Sequence, residues 1–442
     1  MRKSLRPATM VAIVVLLIAA LAAAVVTASP SGAATTPPDP VAKNVILFIG
    51  DGMGPEEMQL GRGLNASNQL LLDGIPWTGR MMIDTHSLDG VTDSAAAATA
   101  LATGFETNNG WLSMIPTDFG PLAVETVLER AEVWDKATGL VTNTEIRAAT
   151  PGAFGAHVTD RDLDLEITTD MAGQNIEALF SGSWSYDYLL RQLPGVTNLY
   201  NLTGLQPYLK APPVPYDAGV YGFFGAMAYP LDREEEGVVK KQPTLAQMTS
   251  AAINVLAQDT DGFFLMVEQA TLDYGGHSRD PGWVGADMND LDRAVKAAYD
   301  WAKGRSDTLI VVTGDHETGG LDVTPNTNYA AIKLQKATTE WMWGLIAAGK
   351  MTIKKTLATY AGITNPTAAE LALIARNGEM GISDVLAARD KVTWGWSGTD
   401  EGDHTATPLE VRAWGPGAGA FNLLGFPDNE YIGDQLLTAV SN

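Results

Sequence analysis

Four short runs of apolar and β-branched residues, at 44–49, 138–142, 263–267 and 308–313, are bounded by glycine or polar residues, and helical patterns follow most of them. Such strands show no polar alternation, so both of their faces must be covered, as in a parallel sheet packed between helices. The clearest helical pattern spans about 284–301 and places Val284, Met288, Leu291, Val295 and Ala298 on one face. This alternation predicts an α/β fold: a doubly wound, mostly parallel central sheet with helices on both faces and ligands at the carboxyl ends of the strands. Asp51 follows the first of these runs, Glu268 ends the third, and Asp315-His316 follows the fourth. The three acidic positions are therefore expected along one edge of the sheet.

The chain opens with Met1-Arg2-Lys3, an apolar run over 11–26 and small residues at Ala28 and Ala33-Ala34, the layout of a secretory signal peptide. An apolar run of about 16 residues is short against the roughly 20 needed to span a bilayer, so cleavage near Ala34 and export to the periplasm, cell surface or medium are expected. Residues 35–42 then read as a Thr- and Pro-rich leader, and 43–442 as the folded domain. Within it, about 321–394 is rich in helix formers and reads as a helical insertion. The chain has no cysteine, so any metal site must use nitrogen and oxygen ligands. Its formal charge of -23 speaks against a nucleic-acid-binding surface. A phosphate ligand would need local positive charge, which bound metal ions supply.

Gly50-Asp51-Gly52-Met53-Gly54 lacks the third glycine of a dinucleotide loop, and its aspartate would repel a pyrophosphate, so Asp51 reads as a metal ligand or a helix cap. The chain has five histidines, His86, His157, His277, His316 and His404. Three of them lie near aspartates, in Asp273-Tyr274-Gly275-Gly276-His277, in Asp315-His316-Glu317-Thr318-Gly319-Gly320 and in Asp403-His404-Thr405. Imidazole with carboxylate and no thiolate suits zinc and its neighbours in a hydrolytic site. Val91-Thr92-Asp93-Ser94 precedes an alanine-rich helix closed by Gly104, which makes Ser94 either a structural cap or a nucleophile at a helix N-terminus.

Together the segments 44–54, 91–110, 150–161, 263–277, 307–320 and 404–417 resemble the alkaline phosphatase family. The resemblance implies hydrolysis of small-molecule phosphate monoesters to an alcohol and inorganic phosphate, with Ser94 as the phosphorylated nucleophile. It further implies two Zn2+ or similar transition-metal ions, one on Asp273, His277 and His404 and the other on Asp51, Asp315 and His316. One Mg2+ would be shared by Asp51, Thr150 and Glu268. Arg161 would clamp phosphate, Asp93 would orient it, and the enzyme would form a homodimer. Two positions depart from the family pattern: Ala148, where Asp or His supports the third ion, and Tyr274, where Lys, His or Trp occurs. His86 and His157 are assigned structural roles. Two rivals stay open here. One is a phosphodiesterase, sulfatase or phosphonate hydrolase with the same metal core, and the other is a non-catalytic, metal-stabilised phosphate-binding protein. The Asp93-Ser94 pair, Arg161 and Glu268 favour monoesters.

Overall fold

The computed structural model describes residues 42–182, 187–215, 217, 219–225, 229–395 and 404–441; the expected signal peptide and leader lie almost entirely outside them. Nine strands form the central sheet: β1 (Asn44–Gly50), β2 (Gly79–Ile83), β3 (Ala137–Thr142), β4 (Ile176–Ser181), β5 (Thr197–Leu199), β6 (Val220–Phe223), β7 (Phe263–Gln269), β8 (Thr308–Gly314) and β9 (Leu409–Trp414). Their spatial order is β2-β9-β8-β1-β7-β3-β4-β6-β5. Every pairing is parallel except those of β9 with β8 and with β2. The four strands legible in the sequence are neighbours in this order, with β1 at the centre between β7 and β8.

Along β1, Val45, Leu47 and Ile49 join the core on one side of the sheet, while Ile46 and Phe48 join the core on the other. The period of two thus divides one uniformly apolar strand between two helical layers. The helices that matter for the site are α1 (Pro55–Leu64), α2 (Ser94–Thr103), α3 (Ala149–Gly155), α4 (Thr271–His277), α5 (Pro281–Ala302), α6 (Thr339–Ala347), α7 (Ile353–Tyr360), α8 (Ala368–Asn377), α9 (Glu379–Asp390) and α10 (Glu430–Val440). Every residue of α2 is buried. Its alanines allow a close approach by α10, where a Cβ on Gly433 would stand 2.3 Å from the Ala100 carbonyl oxygen. No described helix is long and apolar enough to cross a membrane.

Helices α6 to α9 gather around their own small core of Met342, Leu357, Ile374, Ile382, Val385 and Leu386. Antiparallel pairing of Leu321–Asp322 with Thr393–Trp394 closes the base of this segment. These two-residue strands are too short to register as sequence periodicity.

At the opposite end of the sheet from the strand carboxyl termini, Glu177 Oε2 accepts the Thr138 amide at 2.7 Å. Burial first, then the neighbouring Glu132 and Asp259, push the Glu177 carboxyl up to about 8, and burial pushes Glu132 up to about 7. A carboxyl whose folded pKa is raised contributes stability that is fully present below its unfolded pKa, near 4.5, and lost as pH rises through about 8. Glu177→Gln keeps an acceptor for Thr138 and removes that loss. Its thermal midpoint should match that of the parent at pH 5 and exceed it at pH 9, by an amount corresponding to a few kcal/mol. Thermal unfolding across this range checks the expectation, and a midpoint difference independent of pH would contradict it.

Candidate active site

Strand register assembles the site. Gly50 at the end of β1 pairs with Gln269 on one side and Gly314 on the other, so Asp51, Glu268 and Asp315 emerge side by side at one sheet edge. Gly52, at φ +74°, lets the chain turn there, and a Cβ on it would lie 2.8 Å from Thr318 Oγ1 and 3.0 Å from Asp273 Cα. Only a glycine fits that turn. The Gly52 amide donates to Asp315 Oδ1 at 3.0 Å, locking the β1 loop to the end of β8. Asp51 does not cap α1; Gly54 occupies that position, and its amide donates to Glu57 Oε2.

At this end of the sheet two groups of side chains could each hold a metal ion, Asp273 with His316 and His404, and Asp51 with Asp315 and His316. His316 Nε2 sits between them, 3.3 Å from Asp315 and 3.6 Å from Asp51, and its ring stacks on that of His404 at 3.5 Å. His277 lies outside the tighter group but beside it, with Nε2 at 3.2 Å from Asp273 Oδ2 and its ring 5.3 Å from that of His404. Ser94 Oγ, almost fully buried, lies 3.2 Å from His316 Nε2. The serine is the first residue of α2 and not its cap. Asp93 is the cap, its Oδ1 accepting the Ala96 amide at 2.9 Å, which leaves the Ser94 hydroxyl free of that duty.

Asp93 Oδ2 accepts the Gly110 amide and the Arg161 guanidinium, both at 3.0 Å. Glu268 accepts the Thr142 hydroxyl at 2.5 Å. Thr150 is buried alongside, and its hydroxyl makes no hydrogen bond of normal geometry. Ala148 is the N-cap of α3 and offers no side-chain cap. Tyr274, next to Asp273, is 41% exposed as a residue. Crowding around its hydroxyl, then the charges of Asp51, Glu268, Asp273 and Glu145, push its ionisation up. The other two histidines join neither of these groups: His157 Nε2 meets Glu129 at 2.9 Å, and His86 Nδ1 lies 3.5 Å from Asp428.

Electrostatics show what the cluster lacks. Burial, followed by repulsion from Asp315, Asp273 and Glu268, pushes Asp51 well above the usual carboxylate range. Burial likewise carries Asp315 and Glu268 up to about 7. Asp273 is the exception: hydrogen bonds from His277 and His404 outweigh its burial and hold it low. Asp51 Oδ1, Asp315 Oδ2 and Thr150 Oγ1 are buried without hydrogen-bond partners. Carboxyl groups buried and crowded by like charge are neutralised either by protons or by cations, and unpartnered oxygens beside imidazole nitrogens form a donor set that fits bound metal ions.

Several contributors have no chemical signature of their own. The Thr318 hydroxyl donates to Asp273 Oδ1 at 2.6 Å and lies 3.2 Å from His316 Nδ1, so one side chain ties the two ligand groups together. Asn109 Oδ1 accepts the Asp93 amide at 3.0 Å, its Nδ2 donates to the Val91 carbonyl at 3.0 Å, and its own amide donates to Asp89 at 2.8 Å. The only sequence signal for either residue was its place inside a glycine-containing motif.

The family model described as alkaline phosphatase matches residues 42–182 and 213–441. The chain is 35% identical over 407 residues to alkaline phosphatase 4 of Bacillus subtilis, spanning 86% of this chain and 85% of that one. To alkaline phosphatase 3 of the same organism it is 31% identical over 431 residues, at 90% and 89% coverage. Among solved structures, the cold-active alkaline phosphatase of a psychrophilic Shewanella superposes with a TM-score of 0.78 at 26% identity, over 90% of this chain and 99% of that one.

Thr318→Val preserves shape and removes both hydrogen bonds. Loss of such an outer contact should weaken metal retention about 10- to 100-fold without unfolding the protein. Competition with a graded series of chelators, followed by elemental analysis, measures this. Retention equal to that of the parent would show that Asp273 and His316 need no such tie.

Proposed function

Because the chain belongs to the alkaline phosphatase family, whose enzymes hydrolyse phosphate monoesters, we propose that it does so through a phosphoserine formed on Ser94. The observation that carries this reading is the Ser94 hydroxyl, buried at the N-terminus of α2, 3.2 Å from His316 and released from capping by Asp93. We assign one transition-metal ion, Zn2+ or similar, to Asp273, His277 and His404, a second to Asp51, Asp315 and His316, and a Mg2+ to Asp51, Thr150 and Glu268. When bound, such ions supply Lewis-acid stabilisation of the attacking and leaving oxygens of an in-line displacement.

The chain's own residues do the rest. The guanidinium of Arg161, aimed by Asp93 and held protonated, offers a fork of donors to the phosphoryl oxygens. The α2 N-terminus favours negative charge on the serine oxygen. His316 is buried, and its burial, then the neighbouring His404, keep its imidazole neutral, suited to ligation. The layout of residues 1–34 supports export.

Ser94→Ala should abolish the phosphoenzyme and most turnover of p-nitrophenyl phosphate while leaving fold and metal content intact. Intact mass after acid quench detects the adduct in the parent, and wild-type turnover in the variant would overturn the assignment.

The third ion is expected to be loosely held, because Ala148 gives no acceptor to waters on Mg2+, an ion that keeps several of them. Metal-stripped enzyme reloaded with zinc should therefore be activated by millimolar Mg2+. Ala148→Asp should lower the half-activating concentration about 10- to 100-fold. The same substitution supplies the missing cap of α3, worth about 1 kcal/mol, so its thermal stability should rise as an independent readout. Magnesium-independent activity in both proteins would remove the third ion from the reading.

A further inference from the structure

A cavity of about 330 Å3 lies outside the cluster of Asp51 and Asp273, between the 229–237 segment and α6. Tyr229, Trp341 and Leu345 give it apolar walls, and Glu236, Glu340 and Lys350 stand around it. Asp232 also borders the cavity but is committed to the helix start, accepting the Thr338 amide and hydroxyl at 2.7 Å each. Two other carboxylates therefore face one lysine. Partial burial, then repulsion from Glu340, push the Glu236 carboxyl up against the pull of Arg233, a buried guanidinium already committed to the Pro243 and Gln242 carbonyls. The cavity is short of positive charge.

The shape of that deficit selects a ligand. Asp232, Glu236 and Glu340 are not among the described groups whose ligand atoms converge on one metal ion, so a sodium or magnesium ion would find no coordination shell here. An anion would meet two carboxylates. An organic ammonium ion suits both features, since aromatic faces attract its diffuse charge while the carboxylates neutralise it. Its carbon substituents have room on the Leu345 side, where the position of a Cβ on Gly344 has no atom within 4 Å. The Tyr229 hydroxyl donates to Glu340 Oε2 at 3.1 Å and so holds one carboxylate beside the ring.

The cavity also connects to the site. The Tyr229 ring packs on Trp283 at 4.2 Å, and a Cβ on Gly275 would stand 3.2 Å from Trp283 Cγ. Gly275 follows Tyr274 on α4, the helix that carries Asp273 and His277. Two rings in series, Tyr229 and then Trp283, therefore stand between the cavity and the backbone of a helix that carries Asp273 and His277.

We propose that this cavity binds an organic ammonium ion, carried either by a free amine or by the alcohol portion of a phosphate ester. The test is calorimetric titration of choline chloride into the metal-loaded enzyme, against sodium chloride of equal ionic strength. Saturable binding is expected, at least 10-fold weaker in Glu340→Gln and in Trp341→Ala, with p-nitrophenyl phosphate turnover retained in both. Glu340 is exposed, so its variant should fold whatever becomes of the tryptophan. The ratio of kcat/KM for phosphocholine to that for propyl phosphate then identifies the source. A fall in Glu340→Gln assigns the ammonium to the ester, and an unchanged ratio with choline binding lost assigns it to a free amine. No saturable binding by the parent, or equal binding in both variants, overturns the proposal.

Discussion

Four buried carboxyl groups, those of Asp51, Asp273, Asp315 and Glu268, are crowded at one end of a parallel sheet. Desolvation opposes the ionisation of all four, and mutual repulsion adds to it for Asp51, Asp315 and Glu268; among the described residues Arg161 eases Asp51 and Glu268, while His277 and His404 hold Asp273 low. A protein of net charge -23 has no surplus of basic side chains to spend on such a cluster. Cations from solution are the remedy that chemistry offers, and an arrangement that concentrates positive charge there also attracts a phosphate group. The affinity for metal and the affinity for phosphate thus follow from one local imbalance.

The scaffold exists to impose that imbalance. Parallel strands with covered faces put the ends of β1, β7 and β8 in register, and a glycine turn brings Asp273 and Thr318 against the loop after β1. The side chains that hold the pieces together are neutral: Thr142 on Glu268, Thr318 between Asp273 and His316, and Asn109 across the loop bearing Asp93. Neutral donors orient carboxylates without cancelling the charge that draws the ions. Asp93 combines two tasks, capping α2 and holding Arg161, and thereby couples the helix that begins with Ser94 to that guanidinium.

The sequence carried a good deal of this. Uninterrupted apolar runs between helical patterns announce a parallel sheet, and the gathering of ligands at strand carboxyl ends picks out Asp51, Glu268 and Asp315. The helices at 339–390 were legible as helix-forming composition, but the two short strands at their base were not, because two residues have no period. The cavity bordered by Tyr229 and Trp341 was invisible for a similar reason: its walls come from segments about a hundred residues apart, and neither has a motif.

What the sequence determined by itself was four adjacent strands of the nine, the inventory of carboxylates and imidazoles, and the exclusion of thiolate sites, since periodicity and residue chemistry are local properties. What only the tertiary structure decided was how these groups meet. His316 stands between both ligand groups, Asp93 caps α2 in place of Ser94, and Ser94 reaches a histidine 222 positions away in the chain. Such meetings depend on sheet register and loop closure, where a shift of one residue turns a side chain to the opposite face, and no local pattern records that choice.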